Sequence, residues 1–267
     1  MKLPRYIPIL TAFTTRVSGR DAEQLLESPT ALARALADTQ TIVGHDGVLC
    51  FFDPLLLSSA CIKRQEEATS SPATDGLELT PPDEILQAAP LTAILEAIQP
   101  LRHHLPDTAM IFATFAGPGL LFAQLRDAFE SRGPAKGVDP DYVVDVILNV
   151  VRTSLDMKVD GIALIEQPVA SAPSALPRVH KTVRKLADFY DAGFLVFSLP
   201  GAEQQEPDLP AHCIFKLAAV ENDIGLVVGQ IGQSTLSNTV PITTAGDVPA
   251  TMTVEDLKTL LQEGRAA

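Results

Sequence analysis

The chain has 267 residues, 46% of them hydrophobic and 20% charged, which is enough apolar side chain for a packed core and excludes a disordered polymer. The 20 Lys+Arg against 33 Asp+Glu give a formal charge of −13, so no global attraction draws it to phosphate backbones or anionic lipid, and nucleic acid is not an expected partner. The longest apolar runs, Gly47–Phe52 and Gly161–Ile165, fall short of the roughly 20 residues of a membrane span.

Along the chain, short apolar runs alternate with longer helical patterns. The opening MKLPRYIPIL lacks the features of a signal peptide. Ile7–Phe13 reads as the first strand, followed by helices over Asp21–Leu26 and Pro29–Ala37, the second with Ser28 as N-cap and Pro29 at N1. Gly47–Phe52 is the second strand, and the polar stretch Gln65–Glu78 an exposed excursion. Then come a helix over Leu91–Leu101, a strand over Met110–Phe115 and a helix over Gly119–Glu130. Asp141–Leu155 is the clearest helix: Asp139 precedes Pro140, and Val143, Val146, Ile147, Val150 and Val151 form one stripe. Strand Gly161–Ile165, helix Ser174–Tyr190 and strand Phe194–Ser198 follow. Cys213–Ala218, Gly225–Gly229 and Val240–Thr244 complete eight strand candidates, and Thr253 caps a last helix over Val254–Gln262.

This alternation predicts an α/β fold, a (β/α)8 TIM barrel in one domain over residues 1–267, with a doubly wound open sheet as the alternative. Only residues 219–224 separate the sixth and seventh strand candidates, too few for the crossover helix that parallel neighbours need. Connections around strands five to seven are therefore expected to be short, or one of those two runs is not a barrel strand. Cys50, Cys61 and Cys213 form no CxxC pair, which fits a reduced, cytoplasmic protein.

In a parallel barrel, functional side chains come from the C-terminal ends of strands and the loops after them. That rule selects Arg16 and Arg20 after strand one, Phe52 and Asp53 after strand two, and the Gly117-Pro118-Gly119 turn after strand three. It also selects Glu166 and Gln167 after strand four and Asp247 after strand eight. Two guanidinium groups on one loop suit carboxylate or phosphate recognition, although a solvated surface pair has the same spacing. A carboxylate closing an apolar run, as in GVLCFFD, either meets a substrate N–H or caps the helix that Pro54 begins. His103 and His104 sit at a helix end, and His212 and Cys213 point to opposite faces of one strand. No HExxH or GxSxG is present, so neither metal chemistry nor a hydrolase elbow is expected.

Taken in order, these stretches resemble the uroporphyrinogen decarboxylase superfamily of (β/α)8 barrels. Arg16-Val-Ser-Gly-Arg20 is similar to its R-x-x-G-R, Phe51-Phe52-Asp53 to its F-x-D, and Phe115-Ala116-Gly117-Pro118 to its Gly-Pro turn. Lys158–Ile162 is similar to the approach to its fourth strand, and Thr244–Leu257 to its last strand, glycine turn and T-x-E helix. The resemblance implies that Arg16 and Arg20 clamp substrate carboxylates and that Asp53 gathers pyrrole-type N–H groups. Gln124 stands where the family has a tyrosine, Gln167 where it has a serine and Asp247 where it has a histidine, and the chain is shorter than the decarboxylases. These departures point away from uroporphyrinogen itself. The zinc methyltransferases of the superfamily use a His-x-Cys after strand five and a cysteine after strand eight; Phe197-Ser198-Leu199 and Gly246-Asp247 stand there instead.

The expected function is a cofactor-independent decarboxylase of a carboxylated small molecule. Asp53, Glu166 and Asp247 are its catalytic candidates, and Arg16, Arg20, Phe52, Gly117, Gln124 and Gln167 its substrate contacts. A methyltransferase component working with a corrinoid protein or folate carrier is the first alternative, and a non-catalytic ligand-binding barrel the second. Family analogy implies a homodimer.

Overall fold

Residues 3–63, 78–131, 137–167, 173, 175–200, 211–217, 226–231, 241–244 and 247–266 are described by a computed structural model. In chain order they form α1 (Thr11–Ser18), α2 (Ala22–Leu26), α3 (Pro29–Val43), β1 (Gly47–Cys50), α4 (Leu56–Cys61), β2 (Ile62–Lys63), β3 (Glu78–Leu79), α5 (Ala89–His104) and β4 (Met110–Ala116). Then follow α6 (Pro118–Glu130), α7 (Pro140–Asp156), β5 (Gly161–Glu166), α8 (Leu176–Phe189), β6 (Gly193–Ser198), β7 (Cys213–Lys216), β8 (Leu226–Val228), β9 (Gln230–Ile231), β10 (Ile242–Thr244) and α9 (Val254–Ala266).

Side chains at helix starts set several boundaries. Asp21 and Gln24 make a reciprocal capping box on α2, Ser28 Oγ accepts from Ala31 N–H ahead of Pro29, and Asp139 accepts from Asp141 N–H beside Pro140. α4 is the helix anticipated after Asp53 and Pro54, starting at Leu56, whereas the small β2–β3 pair was not foreseen. Apart from Glu78 on β3, the excursion expected over Gln65–Glu78 lies outside the described residues.

The continuous apolar runs pair in parallel in the order β1-β4-β5-β6-β7. Every residue of β5 and β6 is buried, as a parallel sheet covered on both faces requires. Successive side chains alternate between the faces. Val48, Ile111, Ile162, Leu164, Phe194 and Val196 pack in the helix-facing core. Leu49, Phe112, Ala163, Leu195, Phe197 and Phe215 pack on the other face with Ile7 and Ile9 from the amino-terminal segment.

That segment lies between the first and last strands. Asp46 and Gly47 N–H donate to Tyr6 O on one side, and Ile7 N–H donates to Ile242 O and Ile242 N–H to Arg5 O on the other. β10 pairs with β8, and β9 with β7, with Gly229 alone between β8 and β9. A Cβ at position 229 would lie 2.2 Å from Cys213 Sγ and 2.9 Å from the Phe215 ring, so the close approach of this strand to β7 requires glycine.

Two expectations change. The strand expected over Ile7–Phe13 does not form: residues 7–10 lie outside any strand, a single parallel bridge joins Tyr6 to Ile242, and Thr11–Ser18 is helical; the start of that helix is stabilised by a distant carboxylate, Asp247. The eight-strand parallel repeat is met only in part. β8 and β9 run antiparallel to β10 and β7 respectively, and an antiparallel partner needs no crossover helix. That accounts for the short sixth-to-seventh spacing.

Candidate functional site

The three carboxylates selected at strand ends all serve helix starts. Asp53 Oδ1 accepts from Leu55 N–H at 2.8 Å, just ahead of α4. Glu166, buried at the end of β5, accepts from Gly119 N–H at 3.4 Å and Leu120 N–H at 3.2 Å in the first turn of α6. Asp247 accepts from Ala12 N–H at 3.0 Å in the first turn of α1. α1 and α6 have no side-chain cap of their own, so these acids satisfy amides that would otherwise lack partners and favour the positive end of each helix.

Glu166 carries a second interaction. Its Oε1 lies 2.7 Å from His180 Nε2 on α8, with both side chains buried. The contact has ion-pair distance without hydrogen-bond geometry, and His180 Nδ1 has no partner among the described residues. Gly117 makes the arrangement sterically possible, because a Cβ there would sit 2.3 Å from Glu166 Oε1. In α6, Gln124 Nε2 donates to Pro54 O at 3.1 Å, while its buried Oε1 has no partner among the described residues. Asp53, Gly117, Gln124 and Glu166 are therefore gathered around one helix.

A second group surrounds α1. Arg16 Nη1 donates to Met252 O, and the guanidinium lies 4.3 Å from the Phe13 ring centroid. Arg16 is thus in the last turn of a helix, and Arg20 is exposed beyond Gly19, the left-handed residue that ends it. The single anion-facing loop expected for the two arginines is replaced by this helix. Gln167 is exposed immediately after β5. Burial pushes the Asp247 carboxyl up to about 6 against the opposing N–H groups of Ala12, Thr11 and Val248. Asp247 as a whole residue is exposed, but its carboxylate end turns into α1, where it meets the Ala12 N–H.

Between the two groups lies an aromatic stack. Phe52 meets Phe197 edge-to-face at 5.5 Å, and Phe197 stacks on Phe215 at 5.0 Å. Phe197 and Phe215 are fully buried, whereas Phe52 is half-buried. Phe52 is held through its backbone: its N–H donates to Thr11 Oγ1 at 3.1 Å, and that hydroxyl donates to Phe52 O at 3.2 Å. Phe51, immediately before it, has φ of 67°, a left-handed conformation disfavoured for a bulky side chain.

Sequence reasoning missed His180, Phe197 and Phe215. His180 had a readable signal: it falls within the buried helical stripe Leu176, Val179, Val183 and Ala187. His212, set aside as a metal ligand, accepts from Phe194 N–H through Nδ1 at 2.8 Å. An amide only donates, so the ring proton is on Nε2, 2.8 Å from Asp188 Oδ1. Burial holds this imidazole below its usual value. Among the described residues there is no cluster of three or more His, Cys, Asp or Glu side chains placed to hold a metal, and no helix is long and apolar enough to cross a membrane.

The sequence matches no protein-family model and no curated protein. Among solved structures, the chain is similar to a methyltransferase from Methanosarcina mazei, with a TM-score of 0.48 and 18% identity, over 72% of this chain. The aligned region spans 64% of that methyltransferase.

Proposed function

We propose that the chain closes into a barrel of the uroporphyrinogen decarboxylase and methyltransferase type and acts as a methyl-transfer component with a corrinoid or folate carrier at its C-terminal mouth. One observation supports this reading. The mouth is built on a half-buried phenylalanine braced by two buried ones, while Arg16 and Asp53 are engaged in holding the chain itself. Decarboxylation by charge stabilisation needs Arg16, Arg20 and Asp53 on one carboxylated substrate. An aromatic surface instead suits the apolar face of a planar ring system.

The carrier supplies an electrophilic methyl group. Phe52 offers the contact surface, and Phe197 and Phe215 keep its ring in place. Asp247, at the rim with its carboxyl raised to about 6, is suited to take the proton that a thiol or amine acceptor loses on methylation. Glu166 and His180 hold α6 and α8 on the sheet beneath.

The test uses methylcobalamin and 5-methyltetrahydrofolate in separate incubations with a simple thiol or amine, following loss of the methyl donor and appearance of methylated acceptor. Turnover that falls at least tenfold in Phe52→Ala supports the reading. Carbon dioxide release from a carboxylated pyrrole, with no methyl transfer from either donor, would establish the decarboxylase instead.

A further inference from the structure

Apart from the mouth, a small cavity lies between α1, α3 and β1. Its volume is about 20 Å³, which exceeds the roughly 10–15 Å³ that one water needs. Its walls include Thr11, Thr14, Thr39, His45 and Phe51. Thr39 is satisfied locally by Ala35 O. Thr14 Oγ1 and His45 Nδ1 are not: both atoms are buried without a partner among the described residues, in side chains of residues 2% and 3% exposed. Buried polar atoms are almost always hydrogen-bonded, and two of them in the wall of one cavity specify a ligand that both donates and accepts. A dry cavity of this size is normally lined by apolar groups alone.

The position of the cavity gives such a ligand a role. Thr14 is in α1, one turn after Thr11, whose hydroxyl holds both backbone polar groups of Phe52. Phe51 lines the cavity in its left-handed conformation. The space therefore lies directly behind the corner that presents Phe52 to the mouth.

We propose that this cavity is a binding site for one internal water, which bridges Thr14 Oγ1 to His45 Nδ1 and thereby positions the Phe51–Phe52 corner. The neutral imidazole accepts one water O–H through Nδ1. The threonine hydroxyl exchanges a second hydrogen bond, and Thr11 Oγ1 retains a lone pair for a third. The site does not depend on the reaction carried out at the mouth.

The test is solution NMR on the full chain. Water-to-protein cross-relaxation is expected at the Thr14 methyl and the His45 ring, with no shift of the Leu36 and Val48 methyls under xenon. Thr14→Ser should keep the water signal and the Phe52 ring shifts. Thr14→Val should lose the signal and move those shifts, while Thr182→Val on the exposed face of α8 changes neither. Xenon shifts at Leu36 and Val48 with no water signal in the unmodified protein would overturn the proposal, as would a signal that survives in folded Thr14→Val.

Discussion

Acidification should weaken the fold through His45, by an amount that follows from its burial. The imidazole is buried ahead of β1, and desolvation of its charged form lowers its value from 6.5 to about 3. In the unfolded chain it titrates normally. The stability attached to its neutral form is therefore fully present above about pH 6.5 and is lost as pH falls towards the folded value. At pH 5 the unfolded state has taken up the proton and the native state has not, which costs about 2 kcal/mol, or about 30-fold in the folding equilibrium. A bound water that softened the desolvation would change this little, because any folded value below roughly 4.5 gives nearly the same loss at pH 5. Asp247 acts in the opposite sense, since its carboxyl is raised: its contribution is greatest at low pH and disappears as pH rises through about 6. Comparison with His45→Asn, which can hydrogen-bond but does not titrate, removes that background. Urea unfolding at pH 7.5 and pH 5 should show the parent losing about 2 kcal/mol more than the variant. Equal losses, with both proteins unfolding cooperatively at both pH values, would refute the burial argument.

Three further outcomes are expected. His180→Ala should destabilise by about 1–3 kcal/mol because it removes a buried ring beside Glu166 and leaves an empty space, and Glu166→Gln with His180→Gln together should cost less than the sum of the single changes in urea unfolding. Gly117→Ala places a methyl carbon 2.3 Å from Glu166 Oε1; the shift this forces should cost about 1–3 kcal/mol, recovered in part when Glu166→Ala is combined with it. If Asp247 takes the acceptor proton, the methyl-transfer rate should fall as pH drops below about 6, and Asp247→Asn should lower the rate and abolish that step in the pH profile.

Much of the fold was legible because its strands are buried on both faces and so appear as unbroken apolar runs. Helices with local caps, such as those opened by Ser28 and Asp139, were also legible. α1 was not. Its cap, Asp247, is 235 residues from Ala12, and no local pattern encodes such a partner. The reversal of residues 226–231 was visible only as a spacing too short for a crossover. For the candidate site, strand-end position selected Asp53, Glu166 and Asp247 but did not reveal that each accepts from amides at a helix start. On β5, Ala163 points away from the helix layer while Ile162 and Leu164 pack into it. Glu166 shares the parity of Ile162 and Leu164 and so joins α6 and α8, a consequence of the two-residue period that was available from the sequence. Phe197 and Phe215 were assigned to strands, but their mutual stacking depends on neighbour order, which periodicity alone does not give.

The bond from Asp247 to α1 also constrains how the protein is made. Ile9 N–H donates to Thr244 Oγ1, and Tyr6, Leu10 and Phe13 share a buried cluster with Ile242, Val248, Leu257 and Leu261. Residues 6–13 are thus synthesised more than two hundred residues before the neighbours at 242–261 that pack on them. Until those residues emerge, Tyr6, Leu10 and Phe13 lack most of the partners that cover them, and the loop to be closed exceeds two hundred residues. Nascent chains truncated before β10 should therefore engage chaperones through the segment that carries Tyr6, Leu10 and Phe13, and should release them once α9 has been synthesised.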